Sequence, residues 1–535
     1  MKRLVFIILT LLCVSGILAD GAKYLIIAPD SFVQALQPLA DWKTKKGVLA
    51  KIVPLSAFAG NTASQIKNYI LNAYNNWTIR PEYILLAGHG TVLPYSGNSD
   101  DYFADMTGNY QIELSIGRIP CATVSQCQNI IAKTISYERT PYIDDSTWFR
   151  KGTTIVKETG GNPPDSAFWG DIRYIHNFWR HDYYMQIDSF SRLRGNNSID
   201  VMNAISNGRI FIVYRGEAIY NWWLPFDLVI PESLNNGYKL PVIVSGSDQM
   251  MSMNDNTYLG NKFLNAGSFT NSKGAVGFFS TTVGGVTIDE VIRGEVVKGF
   301  FKAIIEENTY KMGDAAKRAK FIIDSIQPPF YTTTRYHEWQ LFGDPELNLW
   351  TAVPKPLSVT YDSVINPTPS NVTVTVMTNG IPVRNALVCL MQDTTIYQYG
   401  NTDSNGIKVF SISPQDTGII SITVTARNCH PFEGVIRVLP EGIEELSTLN
   451  VTSTMFEIYP NPAKSFFIAR IPSSIKNQML KMFDTSGKLV KEIDTPSAHN
   501  DKIAEIIVSL KGIKPGVYFV KVGDEMVKEK LVVTR

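Results

Sequence analysis

The chain is poor in the residues that carry redox and metal chemistry. Its 535 residues include five cysteines and six histidines. Cys13 lies inside an N-terminal apolar run, which leaves Cys121, Cys127, Cys389 and Cys429. None of these is accompanied by a histidine at metal-ligand spacing, so neither a zinc site nor any other metal or cofactor is expected. An excess of charge is also lacking. Fifty Lys and Arg against 49 Asp and Glu leave a net +1, mixed along the chain with no long single-sign block. That excludes a global field for nucleic acid or an anionic membrane. Past the N-terminus no apolar run is long enough to span a bilayer.

What is present is enough for large cores: 44% hydrophobic and 11% aromatic residues, at a length of three to four domains. Lys2 and Arg3 precede an apolar run from Leu4 to Leu18, with small residues ending at Ala19 or Ala22. This reads as a secretory signal over residues 1–22, with a signal anchor as the alternative. Leu12 is too bulky to precede a lipoprotein Cys13. Export permits disulfides within Cys121/Cys127 and within Cys389/Cys429, the latter placed on two strands of one β-domain; only geometry decides whether they form.

The first part of the chain alternates strands and helices. Tyr24–Ala28 is an apolar run fit for a strand buried on both faces. A helix follows with Leu36, Leu39, Ala40 and Trp42, closed by Lys45-Lys46-Gly47. Strand Leu49–Val53, amphipathic helix Ala63–Trp77 and strand Tyr83–Ala87 complete a βαβαβ order, hence a parallel sheet with helices on both faces. Further strands are expected at Thr153–Val156, Ile210–Tyr214, Val242–Ser245 and Val276–Ser280. Helices are expected at Thr123–Glu138, Ala167–Trp179 and Met312–Ile326.

From Pro354 the texture changes. Short strands at Ser358–Tyr361, Val372–Met377, Ala386–Met391, Ile407–Ile412 and Ile419–Thr425 are separated by polar turns such as Thr402–Gly406. This is the pattern of a β-sandwich. A polar linker covers 441–455. A second small β-domain runs over 456–535, opening on Tyr459-Pro460-Asn461-Pro462 and ending on Pro515-Gly516-Val517-Tyr518-Phe519-Val520.

Two segments carry the candidate chemistry. Ile210–Tyr214 runs into Arg215-Gly216-Glu217, and Val242–Val244 runs into Ser245-Gly246-Ser247-Asp248. Each is a buried strand ending in a polar loop. With Tyr24–Pro29, Trp42-Lys43, Lys46-Gly47, Ser99–Tyr102, Ile116–Pro120, Tyr137–Arg139, Glu158 with Gly160-Gly161, Lys273–Val276 and Leu341–Pro345, they resemble the gingipain family of cysteine peptidases over residues 23–353. The resemblance implies a caspase-like α/β fold with a mostly parallel sheet, followed by an immunoglobulin-like β-sandwich over 354–440. Residues 456–535 resemble the C-terminal sorting domain of type IX secretion cargo. That implies a partner in the secretion machinery and a secreted or cell-surface location in a bacterium.

The family carries Gly-His-Gly at the first strand end and Ala-Cys at the second. Here the His position holds Glu217 and the Cys position holds Asp248, with Ser247 beside it. Glu158 falls at an acidic helper position. Peptidase chemistry of this kind needs a thiolate and a base that manages its proton. A carboxylate at the nucleophile position does not replace the thiolate, and Ser247 has no neighbouring histidine in sequence. The expected function is a secreted pseudopeptidase that binds peptide, protein or glycan, with Tyr220, Trp222 and Trp223 lining its cleft. The alternative is an active endopeptidase or hydrolase on the same scaffold, using Glu217 and Asp248 as an acid–base pair. Gly88-His89-Gly90 mimics the family triplet but lies on the wrong strand.

Overall fold

The computed structural model describes residues 21–439, except 59–60, 159, 161–162, 182, 184, 284–289, 327–335 and 394. It also describes residues 457–534, except 460, 462, 464–465, 472–478, 485–487, 495–503 and 523–527. Nearly all of the expected signal and the whole 441–455 linker lie outside the described residues. The chain divides into two compact units between Glu441 and Gly442.

The first unit is built on one ten-stranded sheet. Its strands are β1 (Tyr24–Ala28), β2 (Ala50–Pro54), β3 (Tyr83–Ala87), β4 (Ser115–Ile119), β5 (Lys151–Val156), β6 (Gln186–Phe190), β7 (Phe211–Arg215), β8 (Val242–Gly246), β9 (Gly277–Thr281) and β10 (Trp339–Gly343). They lie in the order β2-β1-β3-β4-β10-β9-β8-β7-β5-β6. Neighbours from β5 to β9 pair in parallel, as do β1 to β4, and β10 runs antiparallel to β9. Alternate side chains face opposite cores, as the two-residue repeat of a strand requires. On β7, Ile212 and Tyr214 join one core, Phe211 and Val213 the other.

Helices cover both faces: α1 (Val33–Lys45), α2 (Ala63–Asn76), α3 (Val124–Glu138), α4 (Pro163–His181), α5 (Ser198–Ser206), α6 (Leu259–Asn265), α7 (Glu290–Ile305), α8 (Met312–Lys320) and α9 (Ile322–Ile326). Helix α2 begins with a capping box, the Thr62 side chain accepting from the Gln65 N–H while Gln65 reaches back. The single helix expected over Met312–Ile326 is two, broken at Phe321. Helices α5 and α7 and strands β4 and β6 had no clear periodic signal. Helix α7 is buried over most of its surface because α4 and α8 pack on it, leaving the stripe of Glu295, Lys298 and Lys302 outside.

Beyond β10 two sheets share one apolar core. Strand Ser370–Thr378 is flanked by Ser358–Thr360 and Ile407–Ile412 in the first. Leu387–Gln392, Gly418–Thr425 and Phe432–Val438 form the centre of the second. Val374, Leu390, Phe410 and Ile422 meet between them. The four cysteines among the described residues are free thiols and buried. Cys389 lies on a strand; Cys429 follows the turn after Gly418–Thr425, in an isolated bridge with Lys355 rather than on a strand as expected. In the second unit a three-stranded and a four-stranded sheet enclose Phe467, Leu480, Met482, Val508, Val520 and Leu531. Asn461 accepts from the Val532 N–H at 2.8 Å, tying the opening of this unit to its last strand.

A buried charge cluster ties the α/β part together. The Lys43 ammonium, at the end of α1, touches Asp344 and Glu346 at 2.6 Å each and Glu138 at 2.9 Å. Lys46 meets Glu138 and Glu346 at 2.5 Å, and Lys311 pairs with Glu346. Burial alone would raise the Glu138 carboxyl, but Lys43 and Lys46 hold it down at about 2. The same helix ends seat the sandwich: Glu433 accepts from Arg139 at 2.6 and 2.8 Å and from Lys45 at 2.5 Å.

Lys43→Ala leaves buried Asp344 without its cation, while Glu138 and Glu346 keep Lys46 and Lys311, and should cost about 3–5 kcal/mol in urea unfolding. His176, on α4, contacts Thr154 Oγ1 at 2.9 Å, and burial, with Arg180 and Arg194 nearby, lowers its pKa to about 4. As pH falls through the ordinary histidine range toward 4, the unfolded chain takes up this proton first. Stability should therefore fall across that window, and His176→Gln should flatten the slope in pH-dependent unfolding.

Candidate active site

The sheet brings the two candidate segments side by side. Strands β7 and β8 pair in parallel with Tyr214 opposite Ser245 and Arg215 opposite Gly246, so Glu217 and Asp248 leave the sheet at the same level. Gly216 makes the exit possible. Its φ is +149°, and a Cβ there would lie 2.3 Å from that of Lys157.

The two carboxylates then find separate partners. Glu217, 49% exposed, accepts from the Lys157 ammonium at 2.5 Å. Asp248, 21% exposed, pairs with Arg293 from α7. Arg293 also donates to Glu290 at 2.6 Å. Glu290 in turn faces Arg215, whose guanidinium is fully buried. Arg215 donates to Asp171 at 2.9 Å, to the Gly246 carbonyl at 2.5 Å and to the Glu290 carbonyl at 2.8 Å, and meets the Glu290 carboxylate at 3.4 Å. The result is an alternating chain, Asp171–Arg215–Glu290–Arg293–Asp248, running from α4 beneath the strand ends to the position expected to match the family nucleophile. Burial raises the Glu290 pKa, against the pull of Arg293 and Arg215. Gly246 and Gly294 leave room for the chain: a Cβ at Gly246 would lie 2.8 Å from Arg215 Cδ, and one at Gly294 would lie 2.6 Å from Asp171 Cγ.

Sequence reasoning missed Arg215, Glu290 and Arg293. The available signal was an arginine closing the apolar strand Phe211–Tyr214, and a Glu–Arg pair three residues apart at the start of an apolar helix.

The other expected site residues divide. Tyr220 is exposed and Trp222 half-buried, but Trp223 is wholly buried and lines no cleft. It stacks on Tyr214 at 5.3 Å and donates to Ser245 Oγ at 3.1 Å. Ser247 is wholly buried too, its hydroxyl bonded to Ser245 Oγ at 2.7 Å, so it is not placed to attack a substrate. Glu158 accepts from Ser191 Oγ at 2.5 Å. His89 stands after β3, separated from β8 by β4, β10 and β9.

Comparison with known proteins settles the lineage. The profile of peptidase family C25 matches residues 17–350, more than half of the chain. The chain belongs to peptidase family C25. Residues 457–534 match the secretion system C-terminal sorting domain, so this is an exported C25 protein, secreted or held at the cell surface, with a domain for the secretion machinery. Gingipain R1 of Porphyromonas gingivalis is 22% identical over 524 residues, 92% of this chain and 47% of its own length. Lys-gingipain of the same organism is 28% identical over 146 residues, 25% of this chain and 8% of its own. The chain spans less than half the length of these curated relatives. The crystal structure of the Arg-specific cysteine proteinase gingipain R superposes with a TM-score of 0.70 at 19% identity. It covers 78% of this C25 chain and 98% of that one. The shared fold is the caspase-like α/β sheet with its β-domain. Among the described residues no helix is long and apolar enough to cross a membrane.

The two ion pairs of this C25 site should weigh differently. Arg293→Ala leaves Asp248 and Glu290 without their shared cation and should cost about 3–5 kcal/mol in urea unfolding. Lys157→Ala breaks a half-exposed pair and should cost at most about 1 kcal/mol.

Proposed function

We propose that this protein is a catalytically inactive gingipain relative that works outside the cell by binding rather than cutting. The observation that carries this reading is the Arg293 guanidinium at the nucleophile position, paired with Asp248. Peptide hydrolysis by this family's chemistry needs a thiolate there, with a base able to take up its proton. Here the side chain is a carboxylate engaged by a cation, and the neighbouring hydroxyls of Ser245 and Ser247 are buried and bonded to each other. The position that would hold the base carries Glu217, engaged by Lys157.

A carboxylate-based hydrolase finds little support in the same geometry. An acid–base pair needs one carboxyl that keeps a proton and one that has lost it. Here each carboxylate is held by a cation of its own, Glu217 by Lys157 and Asp248 by Arg293, and the two do not contact each other as a pair sharing a proton would. The ligand is a peptide, protein or glycan held near the strand ends, where Tyr220 and half-buried Trp222 face solvent.

The full chain incubated with an unbiased peptide library should give no cleavage by mass spectrometry. The paired reversion Glu217→His with Asp248→Cys should also give none, because Arg293 and Glu290 still occupy the floor of the site. Cleavage by the natural chain that vanishes in Asp248→Ala would overturn this reading and assign a carboxylate mechanism.

A further inference from the structure

Resting on the binding reading above, we infer that the ligand is a neutral oligosaccharide, laid along a strip of three tyrosines, exposed Tyr95 and Tyr220 with half-buried Tyr258 between them, that crosses the sheet edge from the loop after β3 to the loop after β7. One loop, residues 249–259 after β8, organises the strip. At one end the Gly90 N–H donates to the Met253 carbonyl at 2.6 Å, and Asn254 Nδ2 donates to the Tyr95 hydroxyl at 3.2 Å. At the other end the Leu259 N–H donates to the Tyr220 carbonyl at 3.1 Å, and Tyr220 lies against Tyr258 with ring centres 5.3 Å apart. Gln249 Nε2 donates to the Tyr258 hydroxyl at 3.0 Å. Tyr95 is 37% exposed and Tyr220 53%.

Two anchors of this strip hold strained backbone. Tyr220 has φ +35° and Gln249 φ +21°, values that side-chain-bearing residues seldom adopt. Each position costs on the order of 1–3 kcal/mol and persists only where the surroundings impose it. Here the imposed conformations put an aromatic ring and an amide at the surface beside the former catalytic positions.

The chemistry of the strip favours a sugar. Its rings offer apolar faces with polar tips. Gln249, Asn254 and the tyrosine hydroxyls donate and accept, as sugar hydroxyls do, and exposed Asp255 accepts. The cations nearest the former dyad, Lys157 and Arg293, are committed to Glu217 and Asp248, which disfavours an anionic ligand. A peptide would gain most by adding a strand to a free edge. The hairpin here, Ala218–Ile219 with Trp222–Trp223, offers two residues per strand, and Trp223 is sunk in the core. From β3 to β7 is five strand spacings, roughly 24 Å, which suits a chain of several rings rather than one.

The test is calorimetry of the full chain with four neutral hexasaccharides: cellohexaose, maltohexaose, mannohexaose and chitohexaose. At least one should bind with a submillimolar Kd. Tyr220→Ala and Tyr258→Ala should each weaken it by about tenfold or more, as truncation of a central aromatic contact does. Tyr258→Phe should keep most of the affinity, and Ile381→Ser, on the sandwich surface, all of it. Circular dichroism of each variant checks its fold. Absence of binding by all four sugars overturns the inference, as does binding that both alanine variants leave intact. Peptides captured uncut from the library would then make the ligand a peptide and leave the inactive reading standing. Cleaved peptides would instead remove that reading and the inference together.

Discussion

The α/β part hangs on one ammonium. Lys43 comes from the end of the first helix, and its three carboxylates come from the end of α3 and the segment after the last strand. Chain positions some 300 residues apart are thereby fixed to one point in a region without water to screen them. The cluster defines more than it stabilises, because buried ion pairs gain little over a well-packed apolar core. Its value lies in the cost of any other arrangement. Every register of α1, α3 and β10 except the observed one leaves a buried charge without a partner.

The same logic recurs at the ends of β7 and β8 with a different result. There the alternating acids and bases run through the space beneath the two strand ends. A peptidase of this fold needs that region to present a reactive thiolate, and so must leave its nucleophile unencumbered. Here the electrostatics are closed: Asp248 and Glu217 each have a cation of their own, supplied by a helix and by a neighbouring strand end. Arg215, Glu290 and Arg293 fill the space beneath the two strand ends with mutually satisfied ion pairs.

Much of the fold was legible in the chain because its strands are short apolar runs and its helices amphipathic. Tyr24–Ala28, Tyr83–Ala87 and Ile407–Ile412 fall where their patterns put them. The misses have physical causes. Helix α7 packs on two sides, so a narrow stripe of Glu295, Lys298 and Lys302 marks its outer face. Strand β6 lies at the sheet edge, with half-buried residues and no apolar run. The long C-terminal helix breaks at Phe321, where nothing in the sequence stops it. At the site, alignment to a family pattern located Glu217 and Asp248 but not their partners, which come from elements far along the chain. Trp223 was misread as a cleft residue because an aromatic pair next to a loop looks the same whether its rings face water or core.

The arginine chain also bears on how this lineage can move. Placing a thiol at position 248 would leave Arg293 without one of its anions. Removing Arg293 first would leave Asp248 and Glu290 without their shared cation. Each single step toward a working dyad therefore passes through a less stable fold, while steps that vary the exposed surface above it do not. The structure acts as a ratchet: drift is channelled away from the charged floor and into the loops that meet the outside.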